Sequence, residues 1–258
     1  MPIEENYNQC IFSILLKKDD THLVHLGTGF LIGLNGLFFT AGHTFRKIKE
    51  SEIDKNGYSN IFIGFPSDNS ALYKLKKLYY FSLPIYLQKG PTYYDACAGI
   101  IDFTNSKFLI FNRKRPKIGE THVAIGLKNN NETRLHELRN NNTADLSGIR
   151  LINTTVIVSK YYPCISDLER DYTNPVGDVS SSKFFNNCIE LNTILSKGES
   201  GCPIIDELGL ISGVFIASSE FTKTSVMIAS KFCTKVIKYK TNFQYDTYQD
   251  LKYRNHPK

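Results

Sequence analysis

Three short segments of the sequence carry side chains whose types suit acyl transfer. His43 follows the apolar run 37–41 across one glycine. Asp95 comes directly before the apolar run 96–103, and Ser200 lies in a glycine-flanked turn just before the run 202–206. The sequence therefore places a histidine, a carboxylate and a serine at the ends of predicted strands, where functional side chains often lie.

Each residue type has a role that acyl transfer requires. A serine hydroxyl needs an adjacent base, and a histidine can act first as base and then as acid. A carboxylate on the other ring nitrogen fixes the tautomer, and glycines let backbone N–H groups face the oxyanion. We expect His43 as base, Asp95 as orienting carboxylate, Ser200 as nucleophile, and the N–H groups of Gly198 and Ser200 as oxyanion hole.

Each segment alone also fits a purely structural role, such as a histidine at a strand end, an acid that opens a strand or an ordinary tight turn. Their combination is informative because the surrounding sequence is dominated by strand signals. About twelve short runs rich in Ile, Val, Phe, Tyr and Thr recur between turn residues. This pattern predicts an all-β sandwich or barrel architecture.

A late helix is predicted over residues 231–239, where apolar residues recur three to four positions apart. A connector over residues 104–118 divides the strand signals into two halves. We therefore expect one β-unit over residues 1–112 and a second over residues 113–258, with the helix and a polar tail at its end. Polar segments at 128–147 and 166–183 are predicted to be long loops.

Composition excludes several classes of protein. The chain has 258 residues, is 41% hydrophobic and carries a formal charge of +6, as an ordinary globular protein would. No run of about 18 apolar residues is present, so no membrane-spanning helix is expected. The first residues are acidic, unlike a signal peptide, and we expect a cytoplasmic protein. The basic cluster 113–117 has no accompanying nucleic-acid-binding motif, which disfavours nucleic acid as partner.

Neither the cysteines nor the histidine pair predicts a metal site. None of the six cysteines forms a C-x-x-C pair, so we expect reduced, mostly buried thiols. Cys164 and Cys188 bracket one predicted loop, and their pairing stays open. His22 and His25 have no nearby cysteine or carboxylate to complete a metal site, and we interpret them as strand or loop surface.

The three segments, in this order, resemble the motifs of trypsin/chymotrypsin-like serine proteases, closest to the bacterial HtrA-type and glutamyl-endopeptidase-type branches. The family motif T-A-[AG]-H is matched at 40–43, and G-[DN]-S-G-[GS]-[PA] at 198–203. The aspartate motif is matched loosely at 95–98, and the resemblance covers roughly 9–240. It implies two six-stranded antiparallel β-barrels that share one cleft, a serine endopeptidase acting on protein or peptide substrates, and no metal or organic cofactor.

The resemblance also implies a substrate site. Ile194 and Leu195 would line the pocket base, where trypsin-like members hold an acid. A strand from Val214 to Ser218 would pair with the substrate backbone. Its substrate-binding residues are expected to be Val214, Phe215, Ile216 and Ser218. Since no carboxylate is evident at the pocket base, we predict small or medium apolar residues at P1, the residue before the cleaved bond.

Two departures from the family motifs leave alternatives open. Glu199 stands where the family has Asp or Asn, so this longer acid needs a partner near the turn, whereas Cys202 is interpreted as a buried filler. Since no family-type activation cleavage site precedes the first strand, we hypothesise that a partner protein or ligand acts on the loops at 128–147 or 166–183. The alternatives are a catalytically silent homologue that binds peptides, or a regulatory or defence effector that stays idle until triggered.

Overall fold

A computed structural model describes residues 7–46, 58–68, 70–80, 85–87, 90–93, 95–129, 136–140, 142–162, 165–173, 179–185 and 188–241. Within these ranges β-strands dominate, and the helices are α1 (His43–Arg46) and α2 (Ser230–Thr241). The predicted all-β class and C-terminal helix are thus confirmed. No helix in the described ranges is long and apolar enough to cross a membrane.

Six strands from the first part of the chain close the first barrel. They follow the order β1-β4-β5-β8-β3-β2, and β1 also pairs with β2. All these pairings are antiparallel. The strands are β1 (Ile11–Lys17), β2 (His22–Leu31), β3 (Leu37–Thr40), β4 (Ile61–Gly64), β5 (Leu72–Tyr80) and β8 (Cys97–Ile101).

Six later strands close the second barrel, in the order β12-β15-β18-β17-β16-β9. The strands are β9 (Thr121–Asn129), β12 (Ile149–Tyr162), β15 (Cys188–Leu191), β16 (Pro203–Ile205), β17 (Ile211–Ser219) and β18 (Thr224–Ala229). Helix α2 follows β18 directly and contacts both β17 and β18. Two six-stranded antiparallel barrels were predicted, and this prediction is confirmed; the boundary between residues 112 and 113 stays a prediction.

Side chains of β1 alternate between two cores, and this alternation joins the barrels. Phe12 and Ile14 belong to a cluster formed by residues of the first barrel region. Ile11 and Leu15 belong to a cluster that contains residues of both barrels. Because successive side chains of a strand point to opposite faces, a strand that is apolar on both faces connects one barrel's own core to the contact with the other barrel.

The two predicted long loops contain strands, so this part of the sequence interpretation was wrong. The segment 128–147 includes β10 (His136–Asn140) and β11 (Thr143–Ala144), which extend the first sheet beyond β2. The segment 166–183 lies mostly in β13 (Ile165–Thr173) and β14 (Val179–Phe185). These two form a four-stranded sheet with β7 (Gly90–Tyr93) and β6 (Ile85–Leu87), in which β14 runs parallel to β7.

Candidate active site

Two hydrogen bonds join His43 to Asp95. The Nδ1 atom of His43 lies 2.6 Å from Oδ2 of Asp95. The backbone N–H of His43 donates to the other carboxylate oxygen, Oδ1, also at 2.6 Å. Asp95 is only 3% exposed, so solvent screens this pair weakly. One buried carboxylate therefore holds both the backbone and the ring of the histidine.

Strand register explains why these residues meet although they are far apart in sequence. In the antiparallel pair of β3 and β8, Thr40 lies opposite Cys97. His43 follows the end of β3, and Asp95 precedes the start of β8, so both leave the sheet at the same end. Gly42 allows this approach, since a Cβ there would lie 3.3 Å from Oδ1 of Asp95 and 3.0 Å from the Ala96 nitrogen.

Ser200 lies in a turn that contacts the same end of the first barrel. Gly198 and Gly201 on either side have φ angles of +94° and +90°, a conformation that favours glycine. A Cβ at position 201 would overlap Oγ1 of Thr40, so the turn packs against the end of β3. The Ser200 carbonyl accepts a hydrogen bond of 2.9 Å from the Thr28 amide of β2. The turn therefore lies against the strands that lead to His43.

The Ser200 hydroxyl and the His43 ring are not joined by a hydrogen bond in the described structure. Such bonds are often long in substrate-free enzymes and shorten when substrate binds. The structure therefore brings His43 and Asp95 into direct contact, and places the Ser200 turn beside them without that last bond.

The turn leaves two backbone donors available. The Glu199 amide donates to the Ser196 carbonyl at 3.2 Å, and the Gly201 amide to the Phe215 carbonyl at 2.8 Å. The amides of Gly198 and Ser200 have no acceptor among the residues that the structure describes. These are the two groups predicted for the oxyanion hole. A positive φ at the third position of the turn 196–199 is typical of a type II turn.

Glu199 finds its partner within the turn itself. The Glu199 side chain is 3% exposed, and its Oε2 accepts a hydrogen bond of 2.7 Å from the Ser196 amide. Burial raises the pKa of the Glu199 carboxyl, while the Ser196 hydrogen bonds and the charge of Lys128 lower it. Gly126 makes room for the side chain, because a Cβ there would lie 2.7 Å from Cγ of Glu199. The carboxyl thus caps the turn.

Cys202 is fully buried and lies in the core cluster of the second barrel, so the prediction of a buried filler is confirmed. Burial raises the pKa of its thiol well above the usual range, which disfavours the reactive thiolate. Cys164 lies outside the described residues, and its pairing with Cys188 stays open. No group of three metal-ligating side chains comes together in the described ranges.

The residues predicted to pair with substrate all lie on β17, but their environments differ. Val214 is paired with Pro203 of β16, and both backbone groups of Phe215 bond to the segment 201–202. Beyond this point β17 pairs with β18 only, among the strands described. Ile216 and Ser218 therefore lie along a strand edge that is open next to the Ser200 turn.

The predicted pocket-base residue Leu195 is fixed by two serines. Its amide donates to Oγ of Ser225 at 2.8 Å, and its carbonyl accepts from Oγ of Ser218 at 2.6 Å. The two hydroxyls lie 3.1 Å apart. Leu195 is buried, whereas its neighbour Ile194 is half-buried. Ser225 was not singled out from the sequence, because nothing local distinguishes it from other strand serines.

Sequence reasoning also missed two residues of β2. Thr28 Oγ1 donates to the Gly198 carbonyl at 2.9 Å, and Nε2 of His25 lies 3.0 Å from the same oxygen. The interpretation of His25 as surface was wrong, since its ring contacts the oxyanion turn, whereas the His22 side chain is 41% exposed. A partner 170 or more residues away leaves no local signal for either residue.

The fold of the chain is similar to that of known serine proteases. An active form of the Rv3671c protease from M. tuberculosis aligns with a TM-score of 0.59 and 12% identity, over 92% of this chain and 82% of that one. An inactive serine-to-alanine mutant form of the same protein gives 0.58 and 14%, over 94% and 92%. The HtrA-type protease AlgW with a tripeptide gives 0.56 and 15%, over 92% and 61%.

Sequence comparison alone finds none of this likeness. No family model matches the sequence, and no curated protein matches it either. At 12% to 15% identity the structural likeness concerns the fold. The chain therefore has the trypsin-like double-barrel fold that these HtrA-type and related serine proteases share.

Proposed function

We propose that this chain is a serine endopeptidase that hydrolyses peptide bonds through His43, Asp95 and Ser200. The observation that carries the proposal is the buried contact of 2.6 Å between the His43 ring and Asp95, beside a serine turn with two available backbone donors. Acyl transfer uses such an arrangement of base, orienting carboxylate and oxyanion donors. The fold shared with serine proteases supports the same conclusion.

In the proposed first step, His43 activates Ser200. Because the Asp95 carboxylate accepts a hydrogen bond from Nδ1–H, the neutral ring carries its lone pair on Nε2. This nitrogen removes the Ser200 proton as Oγ attacks the substrate carbonyl. The amides of Gly198 and Ser200 stabilise the oxyanion that forms. His43 then donates the proton to the leaving amine, which yields an acyl-enzyme.

Water completes the cycle in the second step. His43 removes a proton from the water molecule that attacks the acyl-enzyme, and the same two amides stabilise the second oxyanion. The proton passes back to Oγ of Ser200, and the acid product leaves. These roles require nothing beyond the chain's own residues and water.

For substrate binding we propose that the peptide adds as a strand to the open edge of β17 at Ile216 and Ser218. At the pocket base, the half-buried Ile194 is the residue that we expect to meet the substrate. Leu195 lies in the core of the second barrel, and its backbone is held there by the hydroxyls of Ser218 and Ser225. We expect small or medium apolar P1 residues. A fluorogenic peptide library varied at P1 tests this, and best cleavage after Arg contradicts it.

Control by a partner remains part of the proposal. Strand β7 ends at Tyr93, two residues before Asp95, and pairs with β14 in the four-stranded sheet. A partner protein bound to this sheet would act close to the carboxylate that orients His43. Activity of the purified chain alone, equal to that with each candidate partner added, contradicts this part of the proposal.

One observation favours the alternative of a silent homologue that binds peptides, namely the missing bond between Ser200 and His43. Labelling with a fluorophosphonate probe, which reacts with activated serines, separates the two functions. We expect the wild-type protein to be labelled and the Ser200→Ala variant to remain unlabelled. Ser196→Ala, in the same turn, serves as a matched control that retains the nucleophile. Equal labelling of wild type and Ser200→Ala contradicts the protease.

A further inference from the structure

Two histidines on β2 have contrasting environments. His22 is exposed, and its ring lies 2.9 Å from an oxygen of Asp19, within the same surface turn. His25, three residues later, is enclosed between β1 and the oxyanion turn of the second barrel. Only the second histidine therefore connects the two halves of the site.

The Gly198 carbonyl accepts two hydrogen bonds from β2. Since a carbonyl oxygen can only accept, Nε2 of His25 carries the proton in the contact of 3.0 Å. Thr28 supplies the second donor at 2.9 Å. Two residues later, the Ser200 carbonyl accepts a hydrogen bond from the Thr28 amide. Strand β2 thus binds a carbonyl on each of the two residues whose amides form the predicted oxyanion hole.

Both donors are themselves fixed by further hydrogen bonds. Nδ1 of His25 accepts from the Ser13 hydroxyl on β1, at 2.6 Å, because a neutral ring has one donor and one acceptor nitrogen. Oγ1 of Thr28 accepts from the Leu127 amide of β9, at 3.0 Å. Ser13 and Thr28 are completely buried. This network holds the His25 tautomer that donates to Gly198.

The position of these donors matters because Gly198 is conformationally permissive. Without a Cβ, it can rotate between positive and negative φ at low cost, and such a rotation would turn its amide away from the oxyanion. Fixing the carbonyl holds one side of the residue at its φ of +94°. The His25 ring also fills the adjacent space, since a Cβ at position 198 would lie 2.9 Å from Nε2.

We propose that His25 and Thr28 are positioning residues that keep the Gly198 amide directed into the oxyanion hole. We call the pair the carbonyl clamp. The inference rests on the proposed protease function for its effect on rate, but not for its effect on the conformation of the turn. The side chains of both residues donate to the Gly198 carbonyl, so both act through Gly198.

Kinetics of fluorophosphonate labelling test the effect on rate. In His25→Leu and Thr28→Val we expect the limiting rate constant of labelling to fall about tenfold, less than the loss of a whole oxyanion donor causes. The probe's apparent dissociation constant should stay within about twofold, since the hole acts in the transition state. His25→Gln, whose amide can donate, should recover part of the rate. His22→Ala, on the same strand, should match the wild type.

Amide hydrogen exchange, measured by NMR, tests the clamp independently of any activity. We expect faster exchange of the Glu199 amide, which donates across the turn to Ser196, in His25→Leu and in Thr28→Val, but not in His22→Ala. Unchanged exchange and labelling in both folded variants overturn the clamp. If wild type and Ser200→Ala label equally, the proposed function fails, while the exchange result still decides the clamp. Should His25→Leu not fold, Thr28→Val decides alone.

Discussion

At the scale of single residues, the site depends on a carboxylate that binds one histidine twice. Asp95 accepts from the His43 ring through Oδ2 and from its backbone amide through Oδ1. The second bond fixes the carboxylate plane, so the ring nitrogen meets an oxygen whose direction is already set. A carboxylate that lacked either hydrogen bond would fix the position and the tautomer of the His43 ring less precisely.

Asp95→Asn is therefore expected to lower the labelling rate of Ser200 by about 10⁴-fold, as in a well-studied serine protease. The amide keeps the shape of the carboxyl, but it favours the tautomer in which Nε2 carries the proton. Asp102→Asn is the matched control, because Asp102 is an exposed acid that pairs with Lys76. A labelling rate within a few fold of wild type in Asp95→Asn would contradict the role assigned to Asp95.

Glu199 supports a second prediction at this scale. Glu199→Ala leaves the half-buried Ser196 amide without its acceptor and opens a cavity at a buried position, and we expect a loss of about 2–4 kcal/mol in the free energy of unfolding. Glu199→Gln keeps an acceptor oxygen and loses less, since burial already disfavours the charged form. Urea unfolding at neutral pH measures both. Equal losses in the two variants would show that the negative charge of Glu199, and not its hydrogen bond to the Ser196 amide, stabilises the turn.

The site residues that the sequence predicts and those that it does not differ in the local sequence signal that surrounds them. His43, Asp95 and Ser200 lie in short motifs with characteristic neighbours, so they could be chosen from the sequence. His25, Thr28 and Ser225 act through single contacts with distant segments, and such contacts depend on register that no local pattern encodes. For these, the structure was required.

At the scale of elements, the site is built where strands end. The pairing of β3 with β8 brings His43 to Asp95, and the turn before β16 packs on the end of β3. The missed strands β13 and β14 pair antiparallel and have polar sequences such as the run of serines at 180–182. The main sequence signal of a strand is the alternation of apolar and polar residues. A strand that consists mostly of polar residues lacks this signal and is therefore predicted to be a loop.

The oxyanion turn allows a matched test with two glycines. Gly198 and Gly119 have similar φ angles, +94° and +88°, but only Gly198 has neighbours within reach of an added Cβ. Gly119→Ala should cost about 1–3 kcal/mol through backbone strain alone and leave labelling unchanged. Gly198→Ala carries the same strain and also displaces His25. We expect a larger loss of stability on urea unfolding, and a labelling rate lower by at least about tenfold.

Either outcome of the comparison between Gly119→Ala and Gly198→Ala tests the contact with His25. Equal stability losses and equal labelling rates would mean that the His25 contact is unimportant and that strain alone decides. A larger effect at Gly198 would assign the difference to the ring that occupies the space beside it.

At the scale of the whole molecule, the two barrels are joined through the site itself. The shared core contains Phe30 and Phe39 of the first barrel and Phe111 of the connector, and the Phe111 ring lies 6.1 Å from that of Phe30 and 5.7 Å from that of Phe39. Hydrogen bonds from His25 and Thr28 to the Gly198 carbonyl cross the same boundary. Separation of the two barrels would therefore break the hydrogen bonds from β2 that hold the Gly198 carbonyl in the oxyanion turn.

Acid should weaken this connection between the barrels. Burial, with a smaller effect of nearby His136, lowers the pKa of His25 to about 4, while hydrogen bonds to the Gly198 and Leu127 carbonyls oppose the shift. In the unfolded chain the value is about 6.5, so between these values the unfolded state binds more protons. The free energy of unfolding should thus fall as the pH falls from about 6.5 to about 4, by on the order of 2–3 kcal/mol from this residue.

Urea unfolding between pH 4 and 7.5 measures how the free energy of unfolding depends on pH. The His25→Gln variant shows how much of this dependence comes from His25. Because glutamine does not titrate, the variant should lose most of the slope that His25 contributes. Part of the wild-type slope should remain, since burial also lowers the pKa of His122. His22→Ala controls for removal of an exposed histidine from the same strand. If His25→Gln unfolds with a pH dependence parallel to the wild type, the ring between the barrels does not set the acid sensitivity of the fold.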